Sequence, residues 1–170
     1  MDKDNFFIKS QIESNIRDIV QFINTGIFGA DVLRVFREPV FISIILKLDD
    51  LLQKFVKLGE RINFKDDVSI NTDISDITDL VNKVRNSAFH LSSPENLLDK
   101  KYQIKFVFNM ISGKVPNAIS IDGVSHGADY EDDIAFFYGE YKIYLKRHII
   151  RLIKESTEVY KRLYNEEIRF

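Results

Sequence analysis

The feature that most constrains this chain is an apolar rhythm near its end. From about Asp132 to Tyr164, Ile134, Phe137, Tyr138, Tyr141, Tyr144, Leu145, His148, Ile149, Leu152, Ile153, Val159, Tyr160 and Leu163 recur at helical spacing. A stripe of that length must be buried against other elements, so the spacing predicts one long helix. Earlier stretches repeat the pattern. Residues 4–23 carry Phe7, Ile8, Ile12, Ile16, Ile19, Val20 and Phe22, before Gly26 and Gly29 break the run. Asp31 to Phe36 reads as a short helical piece ended by Glu38-Pro39. A long helix follows from Pro39, with Phe41, Ile44, Ile45, Leu48, Leu51, Leu52, Phe55, Val56 and Leu58 on a wide apolar face. A third begins near Asp73 or Ser75, either of which could cap it, and lines up Ile77, Leu80, Val81, Val84 and Ala88. It stops where SSPE supplies a fresh cap and a proline for a restarted helix.

Amphipathic helices of this length bury their stripes on one another, which predicts an all-α fold: a bundle of about four main helices. The chain, at 170 residues, is expected to be a single domain spanning 1–170. YQIKFVF and NAISIDG flank the turn-rich MISGKVPN and suggest a small irregular or β-hairpin insertion near 102–123, with VSHGADYEDD as a loop.

Composition narrows function. The net charge of −2 argues against a dedicated duplex-binding protein, though not against an enzyme that touches nucleic acid through a local basic surface. With no cysteine there is no disulfide framework and no thiolate chemistry, and the three histidines, His90, His126 and His148, are too scattered to suggest zinc. No metal and no cofactor is expected. The start lacks the pattern of a secretory signal and the longest apolar run, PVFISIIL, is far short of a membrane span. The expected setting is cytoplasmic, with no membrane contact.

One short stretch asks for chemistry. In RNSAFH, Arg85 to His90, an arginine, an asparagine and a histidine gather where the third helix stops. Cations near a helix C-terminus are stabilised by the unpaired carbonyls there, so the stretch has an innocent reading. Yet an arginine followed by a polar residue and, after a short gap, a histidine at a helix end resembles the HEPN domains. These are all-helical proteins of prokaryotic toxin and defence systems. Arg85 matches the arginine of their motif, Asn86 the polar neighbour and His90 the histidine. The stretch near 102–123 would be an insertion in their bundle.

That resemblance implies metal-independent cleavage of RNA through its own 2′-hydroxyl, by a toxin or phage-defence effector. His90 would move the proton, Arg85 would face charge developing on the phosphoryl oxygens, and Asn86 would orient the imidazole or the phosphate. Lys83, Lys142, Lys146 and Arg147 are candidates for holding the substrate, a single-stranded or tRNA-like RNA. The stripe from Lys142 to Arg162 reads equally as a solvated helix face or as a track for an RNA backbone. Residues five apart lie about 140° apart around a helix, so one surface does not naturally gather Arg85 and His90. The family solves this with a homodimer and a composite site, the expectation here too. An antitoxin or another partner protein is a further expected partner.

The competing readings are a non-catalytic module that binds RNA, a nucleotide or a partner, and a purely structural helical partner. Among the remaining candidates, His126 reads as a loop residue and His148 as a core or boundary histidine. The acidic set Asp129, Glu131, Asp132 and Asp133 is explained more simply by helix capping than by a cation.

Overall fold

The computed structural model describes residues 2–29, 34–89, 97–99, 104–105, 107–121 and 124–170. In chain order it contains α1 (Phe6–Asn24), a 3-10 turn (Arg34–Phe36), α2 (Arg37–Lys57) and α3 (Ile77–Phe89). Seven strands follow: β1 (Leu97–Asp99), β2 (Ile104–Lys105), β3 (Asn109–Ser112), β4 (Val115–Ile121), β5 (Val124–Ala128), β6 (Ile134–Tyr138) and β7 (Tyr141–Tyr144). A π-helix (Leu145–Ile150) and α4 (Arg151–Tyr164) complete the order. This mixed α/β fold overturns both the all-α bundle and the HEPN likeness drawn from RNSAFH. The chain divides into two compact units, Met1–Phe64 with Arg151–Phe170, and Lys65–Ile150. Among the described residues no helix is long and apolar enough to cross a membrane.

The first unit is helical, for the reason the apolar spacing gives. The Asn5 side chain starts α1 by accepting from the backbone N–H of Phe7 at 2.9 Å. One face of α1 buries Ile12, Ile16 and Ile19, and α2 buries Phe41, Ile44, Ile45, Leu48, Leu51, Leu52 and Phe55. Asn15 donates to Asp50 at 2.7 Å and Lys47 to Asp18 at 2.7 Å, which fixes the two helices antiparallel. Pro39 does not break the chain here. It sits in the first turn of α2, where its missing N–H has no helical partner to lose. Leu152, Val159 and Tyr160 are the buried side of α4, which packs on α1.

The second unit is built on a sheet. β6 lies between β3 and β7, antiparallel to both. α3 packs against β6 and β7. Its cap is Asp76, whose carboxylate accepts from the N–H groups of Thr78 (2.9 Å) and Asp79 (3.2 Å). β1 pairs with β2, and β4 with β5, as separate antiparallel ribbons. Strand is therefore the framework of this unit and not an insertion confined to 102–123. Residues 90–96 lie outside the described residues, and beyond them Leu97–Asp99 is strand where a restarted helix was expected.

The long helix over 132–164 is the largest correction: its first half is the β6–β7 hairpin. The two strands are joined by Gly139 and Glu140 alone, and Gly139 takes φ 57°, as the first position of a tight hairpin turn demands. Phe136, Phe137 and Tyr138 are all buried, so both faces of β6 are covered. Where β4 and β5 meet, a Cβ on Gly127 would lie 2.1 Å from the Val115 carbonyl oxygen, a separation no side chain permits.

Candidate polar site in the sheet unit

The register Phe137↔Lys142 and Ala135↔Tyr144 puts Lys142 and Tyr144 on one face of the hairpin. Tyr144 belongs to a buried cluster with Ala128, Ala135 and Phe137. At the edge of that cluster its hydroxyl donates to Asp129 Oδ2 at 2.7 Å, and Lys142 Nζ reaches the same oxygen at 2.6 Å. The Lys142 bond, followed by that from Tyr144, holds the Asp129 carboxyl below the usual carboxylate range. Burial, reinforced by the bond to Asp129, pushes the Tyr144 phenol well above its ordinary value. At neutral pH this is an ionised carboxylate held by an ammonium and a neutral phenol.

A second group repeats the pattern. The Tyr130 hydroxyl donates to Asp67 Oδ1, and that bond is the main reason its pKa is raised. The Arg147 guanidinium lies over the Tyr130 ring, 3.6 Å from the centroid, with its Nε 3.8 Å from Asp67 Oδ2. Arg147 also meets Asp132 at 3.0 Å and Asp133 at 3.0 Å. The two tyrosines of the two groups meet edge to face, with centroids 5.1 Å apart. Asp67, Val68, Ser69, Asp129, Tyr130, Lys142 and Tyr144 line an open pocket of about 250 Å³.

Asp133 is the buried foundation of this site. Its carboxylate accepts from the backbone N–H groups of Ile134 (2.7 Å), Lys146 (2.8 Å) and Arg147 (3.0 Å), and from Arg147 Nη1 (3.0 Å). Capping is thus its role, as the sequence suggested, but the helix it caps starts at Leu145 rather than beside it. Within the π-helix His148 is fully buried, and its Nδ1 accepts the Tyr144 backbone N–H at 3.1 Å. Burial pushes its pKa down to about 4, against a pull the other way from backbone hydrogen bonding at Asp66 and Asp67. It is a neutral core histidine at neutral pH, with no open side from which to move a substrate's proton.

The residues singled out for RNA chemistry fall as follows. Arg85 and Asn86 stand half-buried in the last turns of α3, where Asn86 donates to Asn82 at 3.3 Å. His90 lies outside the described residues. Lys83, also on α3, pairs with Asp73 at 3.3 Å. The expected stripe from Lys142 to Arg162 does not exist as one helix face. Lys142 is in β7, Lys146 and Arg147 are in the π-helix, and the later cations are in α4. Lys146 reaches Asp132 at 3.9 Å. His126 is in β5, paired with Ile119, and not in a loop. Asp67, Tyr130 and Tyr144 were missed as site residues, and nothing local betrays them: Asp67 and Tyr130 are 63 positions apart and Tyr144 and Asp129 are 15 apart. No group of three or more His, Asp or Glu side chains among the described residues is arranged to hold a metal ion.

No known family profile, no curated protein and no solved structure matches this chain.

Proposed function

We propose that this protein is a non-catalytic binding module that associates with a second copy of itself through the first turn of α1. The observation that supports it most is the pair Phe6 and Phe7, each 72% exposed, with ring centroids 5.8 Å apart edge to face. Phe7 was expected in the buried stripe of the first helix, yet the core of α1 is made by residues from Ile12 onward. Aromatic side chains are the usual anchors of interfaces. An uncharged patch is also self-complementary across a two-fold axis in a way that a patch of one charge is not. Four phenylalanines per dimer, at about 1.5–3 kcal/mol each, exceed the lower estimates of the association cost, about 4 kcal/mol, and fit a weak dimer rather than a tight one.

The basic residues favour this reading over RNA. Lys83, Lys142, Lys146 and Arg147 each face a carboxylate of their own unit, so a phosphate would have to displace an existing ion pair at each. The cleavage expectation also loses its warrant with the HEPN likeness.

The test is analytical ultracentrifugation of the parent and of a Phe6→Ser/Phe7→Ser double variant. The expected result is a dimer for the parent at roughly 100 μM, corresponding to about −5 kcal/mol or better, and a monomer for the variant with unchanged circular dichroism. A monomeric parent at that concentration refutes the self-association. In parallel, parent and Arg85→Ala protein are incubated with mixed RNA and EDTA. Cutting by the parent alone, leaving 2′,3′-cyclic phosphate ends, would overturn the non-catalytic reading.

A further inference from the structure

The sheet unit contains a pocket whose chemistry selects a ligand independently of any dimer. Its two carboxylates are fastened alike. The Tyr130 hydroxyl holds Asp67 Oδ1 and the Tyr144 hydroxyl holds Asp129 Oδ2. Lys142 shares the bonded oxygen of Asp129 and is itself held by the Gly127 carbonyl at 3.2 Å. Asp129 Oδ1 makes no hydrogen bond to the described residues, and among those residues Asp67 Oδ2 meets the Arg147 guanidinium in an ion pair, Nε at 3.8 Å, without a hydrogen bond. Each acid thus keeps one acceptor oxygen in hand while its orientation is fixed by the other. Asp67 is moreover held at φ 60°, in the left-handed region.

Charge and shape choose among ligands. The two lining carboxylates face the Lys142 ammonium and the Arg147 guanidinium, but Arg147 is shared with Asp132 and Asp133 and Lys146 reaches only Asp132, so four carboxylates there meet three cations at ion-pair distance. A cation is therefore attracted and an anion repelled. Two carboxylate oxygens set on tyrosine hydroxyls call for a ligand with several N–H donors in a fixed plane, which an ammonium lacks and a guanidinium has. The aromatic walls suit the same group, since planar cations stack on tyrosine rings. The protein already displays this recognition once, in Arg147 lying over Tyr130 beside Asp67. The cavity, at about 250 Å³, has room for a guanidinium and a short aliphatic stem, not for a drug-sized ligand.

We propose that the pocket framed by Asp67, Asp129, Tyr130 and Tyr144 receives a guanidinium group, from an arginine side chain of another polypeptide or from a small free guanidine.

Nuclear magnetic resonance titration of the full isotope-labelled chain tests this, with three probes: agmatine, Nα-acetyl-arginine amide and Nα-acetyl-citrulline amide. Saturable shifts are expected at Ser69, Tyr130 and Tyr144 with one or both of the cationic probes, and none with the neutral citrulline probe. Binding by the capped arginine alone assigns the pocket to a polypeptide partner, binding by agmatine alone to a small molecule, and binding by both to the guanidinium itself. Asp129→Asn and Asp67→Asn keep an acceptor for the tyrosine hydroxyls, and asparagine tolerates the left-handed backbone at position 67. Each is expected to weaken binding by about tenfold or more, about 1.4 kcal/mol. Equal binding of the citrulline probe, unchanged binding by both asparagine variants, or no saturation by either cation at about 10 mM overturns the proposal. The pocket and the Phe6–Phe7 patch lie in different units, so each assignment stands or falls by its own experiment.

Discussion

Acidification should unfold this protein through His148 before the carboxylates titrate. The ring is fully buried and accepts the Tyr144 N–H through Nδ1, and burial holds its pKa at about 4. In the unfolded chain it returns to about 6.5. Below that value the unfolded state takes up a proton that the folded state refuses, so stability is full above about pH 6.5 and falls as pH drops towards 4. At 1.36 kcal/mol per pH unit, the loss from this one group is about 1.4 kcal/mol at pH 5.5 and about 2.5 kcal/mol at pH 4.5, approaching about 3.4 kcal/mol below 4. Urea unfolding at about pH 7.5, 5.5 and 4.5 measures it, with His148→Asn as the comparison. The asparagine carbonyl replaces Nδ1 as acceptor and carries no titrating group. Its absolute stability is lower because the cavity is less well filled, but its dependence on pH should be shallower by the amounts given. A parent and a variant that lose equal stability between pH 7.5 and 4.5 would show that His148 titrates alike in both states and refute the reasoning. Hydrogen exchange at the Tyr144 amide gives a local check: protonating Nδ1 in the folded state removes its acceptor, so local protection should fall as pH passes through about 4.

Two further perturbations follow from the same unit. Asp133→Ala removes a buried carboxylate that accepts three backbone N–H groups and one guanidinium N–H; a loss of about 3 kcal/mol or more is expected in urea unfolding, because the groups left behind are buried and unpaired. Asp133→Asn should lose less, since its carbonyl oxygen still caps. Gly139→Val forces a β-branched residue to φ 57° in the hairpin loop and should lower stability by about 2 kcal/mol, with Gly139→Asn markedly milder in the same assay.

The three earlier helices were legible because each keeps one wet side, so the buried apolar positions in α1, α2 and α3 recur at helical spacing. The hairpin defeats that logic. In IAFFYGEYKIY both faces of β6 are covered, which erases the in-out alternation that marks a half-exposed strand and leaves a dense apolar run matching a helix as well as a strand. The signal that would have decided it is Gly139, a residue that costs about 1 kcal/mol inside a helix and is at home in a two-residue turn. His148 was readable as a core residue from its place in the apolar rhythm. The polar site was not, because its carboxylates and tyrosines come together only once α3's leading loop and the hairpin are folded. RNSAFH shows the converse: a short pattern at a helix end carried a family resemblance that the sheet unit contradicts.

The contact between Gly127 and the β4 backbone has a consequence for how this chain can diverge. Most surface positions of a hairpin accept many residues, but at 127 even alanine would drive its methyl into the carbonyl groups of Val115 and Pro116. In a library carrying every substitution at every position, the exposed positions of the ribbon formed by β4 and β5 should therefore tolerate broad replacement, buried Ala128 should accept little beyond small residues, and at 127 glycine alone should survive. Divergence in that ribbon is thus expected to leave a glycine at 127, against the Val115 and Pro116 carbonyls, while its exposed positions change.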